Sequence, residues 1–200
     1  MNDIAEKQGA AEQIEFIERM IRQSQQSFGH WGWAFVMWGV LHIAAYIWNQ
    51  QAPDNEGLPW AILMPAGGLV MMVAGIRAGM KSGKATAIDR ALGGIWWAFG
   101  ITMPILWGVG TATKTFAEPQ VLFVMFYIAY AVANFASGIV LRQKVQIIVS
   151  ILWWAAAVVV MLAPQYVEET FLAMVVIGEL LFGVYLMWFD RREAQRASRA

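Results

Sequence analysis

The sequence predicts an all-α membrane protein of six transmembrane helices behind an amphipathic cytoplasmic helix. Three observations carry this. Hydrophobic residues make up 59% of the chain and charged residues only 14%, where a soluble domain carries about a quarter charged. Six stretches are long and apolar enough to span a bilayer, and the basic residues gather on one side of them.

Residues 1–30 form the predicted cytoplasmic arm. Ile14, Ile17, Ile21 and Phe28 share a helical stripe with Ser24 between them. A lipid-binding helix is usually rich in Lys and Arg. This arm sets Asp3, Glu6, Glu12, Glu15 and Glu18 against Lys7, Arg19 and Arg22. Its apolar stripe is therefore expected to meet protein, either its own bundle or a separate partner docking on Ile14, Ile17, Ile21 and Phe28.

The bundle occupies residues 31–189. A span needs about 20 largely apolar residues, because a helix rising ~1.5 Å per residue must cross ~30 Å of hydrocarbon. The stretches 31–49, 58–76, 91–111, 121–141, 145–163 and 171–189 meet that need. Their unalternating runs read as helix rather than strand. Pro65 and Pro104 fall inside the second and third and are candidate helix kinks. Trp48, Trp60, Tyr166 and Trp188 fall near span ends, where an amphipathic ring anchors at the interface. A basic tail, residues 190–200, closes the chain.

Of the 14 Lys and Arg residues, only Lys114 falls on the side opposite the termini. The positive-inside rule places both termini in the cytoplasm, and an even number of spans agrees. The expected location is a bacterial inner (plasma) membrane, reached without a cleaved leader because the first apolar run is long enough to stay as a helix.

An arrangement of three tandem hairpins fits the spans. Odd spans carry paired tryptophans, Trp31 and Trp33, Trp96 and Trp97, Trp153 and Trp154. Even spans carry Gly75, Gly138 and Gly183 before β-branched residues, which aligns Met71, Asn134 and Glu179 four residues earlier. Small residues four apart let helices approach closely. Ala129, Ala133 and Ser137, and Gly75, Gly79 and Gly83, make such faces. These pack inside the bundle or form a seam with a second copy of the chain.

Polar residues within the spans carry the functional signal. Glu179 is the carboxylate set deep in hydrocarbon, where a charge costs at least ~2.5 kcal/mol, so it must face protein or water or be protonated. It lies roughly 15 Å from its span's inner end, and His42 roughly 16 Å from that of the first span. The matched depths bring a Glu179–His42 contact within reach if the two spans are neighbours. Tyr46 shares a face with His42, and Tyr130, Asn134 and Ser137 share one on the fourth span. These six residues are the candidate intramembrane polar site.

Other chemistries are excluded on composition. Without cysteine there are no disulfides or thiolate sites. His30 and His42, the 2 histidines, sit about 18 Å apart on one helix, so a single chain cannot clamp haem between them. No three clustered ligands suit zinc, no phosphate-binding or hydrolase motif is present, and balanced charge gives no sign of nucleic acid. No metal, cofactor or catalytic activity is expected. The expected partners are the lipid bilayer, a protein at the arm, and a second copy. The leading reading is a structural, regulatory or partner-binding membrane module; the alternative is a small transporter or proton-linked permease using Glu179 and His42.

Overall fold

The computed structural model describes residues 12–21, 31–52, 54, 57–81, 86–113 and 119–197, and every regular element among them is helical. Helix α1 covers residues 12–21; α2 is Gly32–Gln51, α3 Leu58–Lys81, α4 Ala87–Thr113, α5 Pro119–Val140 and α6 Lys144–Leu162. A single turn at Pro164–Tyr166 leads into α7, Val167–Val175, which continues through a π-helical segment, Val176–Leu181, into α8, Phe182–Ala197. Ser24 and Phe28 of the arm stripe, and the loop residues Lys84 and Lys114, lie outside the described residues.

Among the described residues, five helices are long and apolar enough to cross a membrane: α3, α4, α5, α6 and the composite α7–α8. This is an integral membrane architecture. The first of the six expected spans, α2, has the length, at 20 residues, but is not among the five. His42, Tyr46 and Asn49 dilute its apolar content, and of the three His42 is buried.

Local chemistry sets several boundaries. α4 begins before the apolar run because Thr86 and Asp89 form a reciprocal cap: Asp89 N–H donates to Thr86 Oγ1 at 3.0 Å, and Thr86 N–H donates to Asp89 Oδ2 at 3.0 Å. Between α5 and α6, Gln143 N–H reaches the Gly138 carbonyl and Arg142 N–H the Ile139 carbonyl. This is a Schellman closure, with Arg142 in the left-handed position at φ 51° where glycine is usual. Gly138 then seats Ile147 closely against α5. Pro65 and Pro104 lie inside α3 and α4 without interrupting either helix.

Among the described residues the most extensive helix contact joins α5 to α6, which belong to different units in an arrangement of three tandem hairpins. α2 lies along α7, the π segment and α8; α3 packs on α2, and α4 on α5. The core therefore sits among α2, α5, α6 and α7–α8, around Tyr127, Tyr130, Trp153 and Phe171. The α3 and α4 spans stand at its edge, 11% and 6% buried, against 39%, 39% and 44% for the other three.

One close crossing uses glycines outside the expected small-residue faces. A Cβ on Gly183 would lie 2.6 Å from the Gly32 carbonyl oxygen, and one on Gly32 would lie 2.6 Å from that of Gly183. Backbone meets backbone where α2 crosses α8. Gly75, by contrast, has open space around it.

Candidate functional site

Glycine packing also builds the polar centre. Gly39, one turn before His42, lets the π segment approach: a Cβ there would meet Leu180 at 2.6 Å and the Glu179 Cβ at 3.3 Å. The π segment widens the helix at this level, with Phe182 N–H donating to the Ile177 carbonyl five residues back. Such segments insert one residue into a helix and occur often at functional sites. Here Glu179 is inside it.

His42 Nδ1 lies 2.8 Å from Glu179 Oε2, and both residues are buried. A contact this short requires a hydrogen between the two atoms. Either the imidazole donates from Nδ1 to a carboxylate, or a protonated carboxyl donates to Nδ1. The pair is uncharged with two exchangeable protons and carries one negative charge with one. Glu179 Oε1 has no protein partner among the described residues.

Aromatic rings enclose the imidazole. Phe126 lies at 5.5 Å, Trp38 and Phe171 at 5.9 Å and Trp60 at 6.1 Å between centroids. Trp60 thus belongs to the centre: it packs on His42 and Phe171 rather than standing alone as an interface anchor. Trp188 remains outward, 46% exposed, with the Arg192 guanidinium 3.8 Å above its ring.

The other expected site residues fall into two further groups. Tyr46, one turn along α2 from His42, donates its hydroxyl proton to Glu168 Oε2 at 2.7 Å, an exposed bond near the α6–α7 connection. Tyr130, Asn134 and Ser137 are buried between α5 and α6. Asn134 Nδ2 donates to the Tyr130 carbonyl at 3.0 Å, and Gln146 Nε2 approaches Asn134 Oδ1 at 3.5 Å. The Tyr130 ring packs 4.6 Å from Trp153, and Trp153 packs on Phe126, which in turn touches His42. An aromatic layer therefore joins the α5–α6 group to the His42–Glu179 pair.

Sequence reasoning missed Gln146, Ser150, Tyr127 and Trp153, all fully buried. Gln146, Ser150 and Trp153 recur at helical spacing on one face of α6, a signal available in the sequence. The contact of Trp153 with Gly178, beside Glu179, had no such signal: a Cβ on Gly178 would lie 2.5 Å from the indole Nε1.

Pro65 and Pro104 belong to the two least buried spans. On α1, Ile14 and Ile17 are 59% and 50% exposed and Ile21 only 9%, so the described part of the docking stripe is open at its start and covered at its end. Among the described residues no three His, Asp or Glu side chains gather as a metal site would need. Comparison with protein-family models, curated proteins and solved structures finds no match to this chain.

Proposed function

We propose that this is a six-span, non-enzymatic membrane protein that binds and releases a proton at the His42–Glu179 pair, a small transporter or proton-linked permease. One observation carries the reading: two proton-holding groups lie 2.8 Å apart, buried, inside a bundle of membrane-length helices. A purely structural pin needs one hydrogen bond between helices and gains only about 0.6 kcal/mol from it on average. Asparagine or glutamine would supply that bond without an ionisable group. An acid and an imidazole, one on a π segment and the other within an aromatic cage, suit a proton that comes and goes.

In this reading α2 is the first of six spans, both termini are cytoplasmic, and the membrane is a bacterial inner membrane. The open apolar start of α1 supports a second, compatible role: Ile14 and Ile17 offer a docking face to a protein partner.

The test is proton flux. The full chain is reconstituted into phosphatidylcholine–phosphatidylglycerol vesicles holding a pH-sensitive dye, and an inward potential is imposed. The wild type should acidify the lumen, and Glu179→Gln, folded by circular dichroism, should fall to the level of empty vesicles. Wild-type flux no greater than that of empty vesicles, or flux unchanged in Glu179→Gln, would contradict the proposal.

A further inference from the structure

The pair touches an unexplained set of buried polar atoms. Besides Glu179 Oε1, the indole N–H groups of Trp153 and Trp96, the Tyr127 hydroxyl, Gln146 Oε1 and Ser137 Oγ are enclosed and have no protein partner among the described residues. Each such group costs about 1–3 kcal/mol if left unsatisfied. All but the Trp96 indole N–H, which is on α4, belong to α5, α6 and the π segment. Tyr127, Asn134 and Ser137 recur at helical spacing along α5, and Gln146, Ser150 and Trp153 along the facing side of α6. Gln146 meets Asn134 near the α5–α6 turn, whereas Trp153 meets both Tyr127 and Gly178, next to Glu179. The seven residues from Gln146 to Trp153 advance about 10 Å along α6. The unsatisfied atoms of α5, α6 and the π segment thus follow a file from the turn at residues 141–143 to the centre of the bundle.

We infer that this file is an internal water site, in which ordered waters join Glu179 Oε1 to Gln146 Oε1 and Ser137 Oγ and carry protons between the pair and the α5–α6 end. The inference rests on the proposed proton chemistry for its purpose, but the water site stands on geometry alone. A buried water makes about three hydrogen bonds, typically to groups that lack other partners, and here both donors and acceptors are waiting. Each hop along such a chain takes a proton from one neighbour and passes another onward, so no net charge accumulates. The titratable groups at the file are Glu179 and His42 at its deep end, Tyr127 and Tyr130 along α5, and the exposed Arg142 and Lys144 at its turn end; Gln146, Ser150 and Trp153 on α6 do not titrate. The polar pair at the other end of α2, Tyr46 with Glu168, lies off the file.

The indole N–H of Trp153 reports on the site without any transport assay. In the full chain in lipid, nitrogen-15 indole spectra are assigned at this position by comparison with Trp153→Phe. Magnetisation transfer from water and exchange into deuterated buffer are then measured. The Trp153 N–H should receive magnetisation from water, and its exchange should slow roughly tenfold in Gln146→Leu, which matches the volume of glutamine but cannot hold water. Ser137→Ala, the milder change, should slow it in the same direction, and Tyr46→Phe should leave it unaltered. Absence of water transfer at Trp153, or exchange unchanged in both Gln146→Leu and Ser137→Ala, would overturn the water site. The two ideas fail separately: water at Trp153 without proton flux in vesicles would reject the transport reading and keep the site, and flux with a dry Trp153 would do the reverse.

Discussion

Glu179→Leu is expected to destabilise the bundle by about 1–3 kcal/mol, the cost of stranding a buried hydrogen-bonding group, read as a shift in denaturant midpoint in detergent. Leucine fits the volume but leaves His42 Nδ1 facing hydrocarbon inside its ring of Phe126, Trp38, Phe171 and Trp60. Glu179→Gln keeps a hydrogen-bonding side chain there and should lose no more than about 0.6 kcal/mol, the average for a bond between membrane helices. The size of the leucine effect is informative in itself. A loss of roughly 3–5 kcal/mol would mean that a full charge had been stranded on His42, because that is the usual cost of removing one partner of a buried ion pair. Equal losses for leucine and glutamine would show that the contact does not hold α2 to the π segment.

The second large effect is expected at the glycine crossing. Gly183→Ala places a methyl group 2.6 Å from the Gly32 carbonyl oxygen, with Val36 Cγ2 at 2.8 Å and Phe35 Cβ at 2.9 Å. Two of these three atoms belong to backbone or Cβ and cannot swing away, so α2 and α8 must part. Alanine gains about 1 kcal/mol over glycine in a helix, but overpacking costs about 1–3 kcal/mol or more, and the clash should win. Gly75→Ala is the control. Nothing lies within 4 Å of its Cβ position, so the propensity gain should appear alone and stabilise the protein slightly. If Gly183→Ala behaved like Gly75→Ala in unfolding measurements, the close crossing of α2 and α8 would be wrong.

The difference between those two glycines illustrates what was legible in the sequence. Long apolar runs mark helices because only intra-segment hydrogen bonding satisfies a backbone in lipid, and each of the six runs is found in helix. Depth was legible too. Counting residues at a constant rise put His42 and Glu179 at one level, where they meet. Neighbourhood was not legible, since depth says nothing about which helices adjoin. Gly75 reads as part of a packing face with Gly79 and Gly83, of which Gly83 lies outside the described residues, yet Gly75 has open space around it, and a close crossing falls on Gly32 and Gly183, which no local spacing connects. The π segment around Glu179 has no sequence signature in Val176–Leu181. Trp60 read as an interface anchor because it starts a span, and only the tertiary arrangement turns it toward His42.

The proposed sharing of exchangeable protons between His42 and Glu179 can be read in the nitrogen-15 spectrum of the His42 imidazole. The sequence has 2 histidines, so His30→Gln leaves His42 as the only labelled ring. In lipid, its Nδ1 signal should show a dipolar contact to the Glu179 side-chain carboxyl carbon. It should move with pH while the protein stays folded, and should change its position and lose that pH response in Glu179→Gln. A His42 Nδ1 signal that is fixed across that pH range, or the same with Glu179 and with Gln at position 179, would contradict the account.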